Sequence, residues 1–251
     1  MPIRTDSVSS LPKFELPIVI PVFNGVTYLS NTIDFFKARG FDEYLILNNG
    51  SAYPPLEEYL SKVPDGVTVL DLPHNPGPRV FNDPGIYSRL PEQFILTDPD
   101  LGFKPELDRE SVLHLFELCE QYKRYKLGCA LNIWTEEPSC VDTDITTKKG
   151  ETTIRNIEDK YYRQFLGVTK YGDTIYDAPI DTTFAAYDKR YSAGKASGTS
   201  GRIVGRYSAE HYGWYDVPPI PADEYEYYKV AVSTTQFAST EWVKSGKKYT
   251  Y

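Results

Sequence analysis

"FILTDPDLGF", residues 94–103, runs from an apolar strand into two acids, Asp98 and Asp100, with Pro99 between them. Residues at spacing two along an extended segment point to the same side. Pro99 fixes the backbone between the two carboxylates, which limits what is lost in ordering them. Hard divalent cations take carboxylate oxygens, and Mg²⁺ commonly uses one or two carboxylates plus substrate phosphates. The plainer alternative is an acidic turn after a strand, since Asp and Pro are turn residues.

Upstream, strands and helices alternate. "LPIVIPVF" (16–23) is a β-branched apolar run that reads as a buried strand. In the next segment Leu29, Ile33 and Phe36 fall on one face of a helix that ends at Gly40. "EYLILN" (43–48), "GVTVLDL" (66–72) and "QFILT" (93–97) read as further strands, with a proline-started helix at 54–63. This pace implies βαβ units and a mainly parallel sheet flanked by helices, an α/β fold. Downstream, Val112, Leu115, Phe116, Cys119 and Tyr122 form one face of a helix over 109–123, and "KLGCALNIW" (126–134) is a fifth strand. His114 falls on the polar side of that helix and is expected in solvent.

Beyond residue 135 the pattern loosens. Residues 135–153 read as a hairpin or mobile loop. "SAGKASGTSGR" (192–202) reads as a flexible Gly/Ser run, and 223–248 as one or two helices. The expectation is one domain over 1–251, with a ligand-binding half at about 14–103 and a second half at about 104–251 that decorates the sheet.

The chain has 251 residues and a net charge of −8, which speaks against a general nucleic-acid binder. Three cysteines without metal-ligand spacing point to a reducing, cytoplasmic setting. No apolar run approaches the ~20 residues needed to span a bilayer, and the N-terminal stretch lacks the apolar core of a signal peptide.

In an open α/β sheet, ligands bind beyond the carboxyl ends of the strands. The strand-ending loops "PVFNG", "NNGS", "PHNPGPR" and "TDPDLG" therefore gather at one edge. As an ordered set, "IVIPVFNG", "LILNNGS", the N-P-G after the third strand and "LTDPDLGF" resemble the family 2-type glycosyltransferases of the GT-A fold, over roughly residues 16–103. The resemblance implies a single GT-A-like domain and a D-x-D, here Asp98 and Asp100, that holds Mn²⁺ or Mg²⁺ on the diphosphate of a nucleotide sugar. It places Pro21, Phe23 and Asn24 against base and ribose. It places Asn48 where the family's uracil-contacting Asp stands, and an amide there can donate as well as accept. His211, in "AEHYGWYDVPP", corresponds to a C-terminal metal-ligating histidine, with Tyr212, Trp214 and Tyr215 beside it to stack on a sugar. A lone histidine can equally be structural.

Arg79 is a candidate phosphate or base contact, or else a solvated loop arginine. His74, in the same loop, could face the donor. Lys195, Arg202 and Arg206 could close over the diphosphate. An inverting transfer needs a base within reach of the acceptor hydroxyl. Asp181, just before the apolar run "TTFAAY", is preferred, and an N-cap role there is compatible. Glu158 and Asp159 are the rival pair, in a stretch expected to be solvated.

The expected function is metal-dependent transfer of one sugar from a nucleotide-diphospho-sugar to a glycan or other hydroxyl acceptor, with inversion. The processive signature Q-x-x-R-W does not occur in the sequence, nor does a P-loop or a G-x-S-x-G elbow. Two alternatives stand beside it. One is a nucleotidyltransferase, which usually carries a Gly-rich basic loop after the first strand. The other is a nucleotide- or carbohydrate-binding protein without catalysis.

Overall fold

The computed structural model describes residues 3–147, 150–192 and 199–233. Its centre is a 10-stranded sheet with helices packed against it. The first half supplies β1 (Ile3–Thr5), β2 (Ile18–Val22), β3 (Tyr44–Asn48), β4 (Val67–Asp71) and β5 (Gln93–Leu96), all mutually parallel in the order β1-β4-β3-β2-β5. Every residue of β2 and β3 is buried, as parallel strands covered on both faces require.

Helices α1 (Thr27–Lys37), α2 (Pro54–Leu60) and α3 (Pro84–Arg89) connect these strands. Leu29, Ile33 and Phe36 of α1 are fully buried, on the face read from the sequence. Pro54 starts α2, as anticipated. Helix α3 was not anticipated. It is short, and its start is set by Asp83, whose side chain accepts from Gly85 N and Ile86 N.

β2 leads outward to β3 and β4, and the chain then returns to place β5 on the other side of β2. The crevice between β2 and β5 is thus the point where strand order reverses, the place where an open α/β sheet binds ligands. Pro21 helps to open it. Within β2 only Ile18 and Val19 pair with β5, and Thr97 N donates to Val19 O. Alternation along the strand puts Pro21 on the same side as Val19, one step past the last bond to β5. A proline without an N–H is tolerated there, and the two strands part.

After β5 come β6 (Leu101–Phe103), α4 (Arg109–Tyr122), β7 (Lys126–Cys129), the hairpin β8 (Asp144–Thr147) and β9 (Gly150–Thr153), and α5 (Ile154–Asp159). Then follow β10 (Phe165–Val168), β11 (Thr174–Tyr176), β12 (Ala185–Asp188), β13 (Ser200–Ile203), β14 (Ala209–His211) and α6 (Ala222–Ser233). β14 pairs antiparallel with β6 in a small second sheet, which brings His211 opposite Leu101.

The second half does more than decorate the sheet. β12 lies between β5 and β7, antiparallel to both, and β13 lies parallel to β7 on its far side. The Gly/Ser run was expected to be flexible, yet its last residues, Ser200–Arg202, are buried strand. Small residues there answer a packing need: a Cβ on Gly201 would come within 2.6 Å of a Leu127 methyl. Residues 193–198 of that run, with Lys195, lie outside the described residues. So does the tail beyond 233, whereas α6 realises the first helix expected there.

His114 corrects a second expectation. It is 6% exposed, with Nδ1 2.6 Å from a Glu117 carboxylate oxygen and its ring edge-on to Tyr171. The turn between β10 and β11 covers that face of α4, which helix periodicity alone cannot reveal. No helix among the described residues is long and apolar enough to cross a membrane. All three cysteines are buried free thiols.

Candidate active site

A cleft of about 750 Å³ opens at the carboxyl edge of β2 and β5. Pro21, Phe23, Arg79, Asp98, Asp100, Asp181 and His211 all line it. Asn24 and Asn48 do not. Asn24 adopts the left-handed conformation (φ 52°), and its side-chain oxygen accepts from Ala52 N at 2.7 Å and Tyr53 N at 3.0 Å. It ties the loop after β2 to the loop after β3 and so shapes the wall from behind. Asn48 donates to Asp71 at 2.8 Å and to Glu57 at 3.3 Å. The adjacent Asn49 faces the cleft instead. Its amide nitrogen donates to Gly77 O, and its buried oxygen has no partner. One position along a strand end reverses the side to which a residue points, so the sequence motif alone could not choose between the two.

The acidic motif sits where the sequence placed it. Thr32 Oγ1 donates to Pro99 O at 2.9 Å, and Tyr212 N donates to Asp100 O at 2.9 Å, which fixes the backbone of the turn from two sides. Thr182 Oγ1 donates to Asp98 Oδ2 at 2.9 Å. Burial, and after it the neighbouring Asp100, push the Asp98 carboxyl well above the usual carboxylate range. His211 Nε2 is 3.8 Å from Asp100 Oδ2, and the imidazole stacks on Trp214 with centroids 4.8 Å apart. Its Nδ1 is buried without a partner.

Among the described residues no three His, Cys, Asp or Glu side chains are gathered closely enough to form a ready metal cage. The donor chemistry nonetheless fits an open site. Crowded carboxylates in a cleft, with an imidazole beside them whose Nδ1 lacks a hydrogen-bond partner, leave room for oxygens that a diphosphate would bring. Gly213 belongs to this arrangement, because a Cβ there would stand 2.8 Å from Asp100 Oδ2 and 2.8 Å from His211 Cε1.

Asp181 and Arg79 were read as separate candidates. They form a two-bond ion pair, at 2.8 and 2.9 Å, with side chains 55% and 68% exposed. Such an exposed pair is weak and opens readily. It spans the mouth of the cleft from the loop after β4 to the segment before β12. The apolar run after that segment, compatible with a helix or a strand in the sequence, is a strand, so Asp181 caps no helix.

The rival carboxylate, Glu158, is not solvated as expected. It lines the cleft and is paired with Arg202, which is 4% exposed. Asp159 pairs with Arg163 in solvent, as its polar surroundings implied. Arg202 is therefore fixed in β13, and Arg206 is held by Asp173. Neither sits on a loop poised to close. His74 is exposed and does not line the cleft.

Two contributors gave no sequence signal. Lys126, the first residue of β7, reaches the cleft floor. Glu224 of α6 is 1% exposed and receives Val26 N at 2.7 Å, Thr27 N at 2.9 Å and Thr27 Oγ1 at 2.6 Å. It caps α1 from 197 residues away and, with the Tyr53–Tyr227 contact at 4.8 Å, fastens α6 over the crevice as one of its walls. A local capping pattern cannot foresee a cap supplied from so far along the chain.

No protein-family model and no curated protein matches the sequence. Solved structures similar to this one include the mannosyltransferase PcManGT from Pyrobaculum calidifontis, in complex with GDP-Man and Mn²⁺. It aligns over 95% of this chain and 69% of its own, with a TM-score of 0.47 and 9% identity. Residues 1–349 of S. aureus TarS align over 90% of this chain and 67% of their own, at 0.43 and 11%. HddC from Yersinia pseudotuberculosis aligns over 88% of this chain and 100% of its own, at 0.46 and 10%. These values carry no residue-by-residue correspondence, and the functional reading rests on the side chains of the cleft.

Proposed function

We propose that the cleft belongs to a metal-dependent glycosyltransferase of the GT-A type, which moves one sugar from a nucleotide-diphospho-sugar to an acceptor hydroxyl with inversion. Transfer is non-processive, and the chain works in the cytoplasm as a single domain. The observation that carries this reading is the convergence of Asp98, Asp100 and His211 with Asp181 across one cleft at the strand-order reversal.

Residues near 14–103 take the nucleotide, between Pro21, Phe23 and Asn49. Asp98 and Asp100, with His211, would hold Mn²⁺ or Mg²⁺, which when bound would supply positive charge beside the diphosphate leaving group. Thr182 keeps the Asp98 carboxyl oriented. Asp181 takes the proton from the acceptor hydroxyl as its oxygen attacks the anomeric carbon. The bond from that carbon to the diphosphate oxygen breaks, and its electron pair leaves with the nucleotide. Asp181 is preferred over Glu158 because its ion pair with Arg79 is exposed and opens readily, whereas Glu158 is bound to a buried arginine. Arg79 holds the Asp181 carboxylate in place and releases it when the acceptor enters.

The test is thermal unfolding with a panel of nucleoside diphosphates, each with and without Mn²⁺, on the wild type and on Asp100→Ala. A ligand bound only by the folded state at 100 times its Kd adds about 2.7 kcal/mol. A Mn²⁺-dependent shift for one base, lost in the variant, is expected. No shift for any base would remove the donor site. Release of pyrophosphate from a nucleoside triphosphate and a sugar phosphate would instead identify a nucleotidyltransferase.

A further inference from the structure

The carboxylates of the cleft have roles in that reading, but its buried lysine has none. Lys126 is 8% exposed and lines the cleft floor. Its Nζ donates to Asp181 O at 3.1 Å and to Tyr187 Oη at 3.3 Å, and it stands 5.2 Å from the Tyr187 ring centroid. Both oxygens are neutral. Among the described residues no carboxylate lies within ion-pair distance of the ammonium, and one of its three N–H groups is left over. Burying an ammonium against neutral partners is costly and calls for a reason.

The surroundings supply one. On the adjacent strand, Ser200 stands opposite Lys126, and Arg202 follows two residues later. Arg79 and Arg202 are the cations whose fields act on Lys126, and Asp181 is the acid. Glu158 answers Arg202, and Asp181 answers Arg79. Both neighbouring carboxylates are thus engaged by arginines, and the buried lysine keeps only its two neutral acceptors. The cluster surrounds Asp181, on the side of the cleft built by β7, β13 and the segment before β12.

We propose that this end of the cleft is an oxyanion subsite, in which Lys126, flanked by Arg202 and Arg79, receives a phosphate or carboxylate carried by the acceptor. The acceptor of the transferase is then an anionic alcohol, such as a phosphorylated polyol or an acidic sugar, and its anion positions the neighbouring hydroxyl at Asp181. This inference rests on the reading that the Asp98–Asp100 end takes the donor. The same oxyanion chemistry could come from the donor's own diphosphate, so the two sources are separated experimentally.

Inorganic phosphate, glycerol 1-phosphate and glycerol are titrated into the protein saturated with its nucleoside diphosphate and Mn²⁺, and the unfolding midpoint is followed. The proteins are the wild type, Lys126→Met and Lys126→Arg. Phosphate and glycerol 1-phosphate are expected to raise the midpoint of the wild type and of Lys126→Arg, and glycerol is not. In Lys126→Met their affinity is expected to fall roughly tenfold or more, as the loss of a charged hydrogen bond implies, while nucleotide binding persists and reports that the variant is folded. Equal phosphate affinity in Lys126→Met and the wild type would overturn the proposal. So would a phosphate shift seen only without nucleotide, which would assign the lysine to the donor. If no nucleotide binds, the donor reading falls by itself. A Lys126-dependent phosphate shift on the protein alone would then still support the subsite, and its failure would remove that too.

Discussion

Replacing Lys126 with methionine is expected to change how stability varies with pH. Burial lowers the lysine from 10.5 to about 8. The unfolded chain holds this proton up to 10.5, whereas the folded protein gives it up above about 8. Between those values the unfolded state binds more protons, so stability rises with pH by up to ~1.4 kcal/mol per unit. By pH 10 the gain is roughly 2 to 3 kcal/mol. Methionine has nearly the same reach and no proton, so Lys126→Met lacks this slope. Desolvation raises the buried phenols of Tyr125 and Tyr187, so both stay protonated in the folded proteins across this range, and their titration in the unfolded chain cancels in the difference. Urea unfolding of both proteins at half-unit steps from pH 7 to 10 gives that difference directly. It should grow in favour of the wild type as pH rises. A difference flat to within about 0.5 kcal/mol would mean that the ammonium is not desolvated, and the argument from its burial would fail.

Asp181→Asn is expected to lower turnover at least about 100-fold and leave Mn²⁺-dependent nucleotide binding unchanged, and near-normal turnover would move the base to Glu158. Glu224→Ala removes an acceptor shared by three donors at the start of α1 and should cost about 3 kcal/mol in urea unfolding. A loss under about 1 kcal/mol would show that α6 is held by its aromatic contacts. Gly213→Ala crowds Asp100 and His211 and should weaken Mn²⁺-dependent nucleotide binding about tenfold by calorimetry. Unchanged affinity would detach His211 from the metal site.

The first half of the fold was legible because its signals are local. β2 through β5 are short apolar runs closed by turn residues, and the buried face of α1 follows from helical spacing. The edge where Asp98 and Asp100 stand follows from the parallel order. The second half depends on partners distant in sequence. Ser200–Ile203 resembles a loop in composition and becomes a strand by pairing with β7, with Gly201 leaving room for Leu127. His114 is buried by a turn more than 50 residues downstream. The strand-end asparagines show a finer limit, because Asn48 and Asn49 have the same chemistry and opposite directions. Lys126 is a lysine before an apolar run in the sequence, and only the closing of β12 and β13 around it makes it a buried charge.

The position of β12 also sets an order of assembly. β5 can pair with β2 as soon as residue 96 is made, but its other neighbour begins at Ala185, 89 residues later (185 − 96). At about 5–20 residues per second, the nascent chain carries an unpaired edge at Phe94–Leu96 for roughly 4 to 18 seconds. β7 is made in that interval, but in the folded protein β12 lies between it and β5. An apolar strand edge left open for that long is a template for pairing with other chains. The growing polypeptide therefore passes through a stage in which aggregation competes with folding, and that stage ends when the strand leading from Asp181 docks.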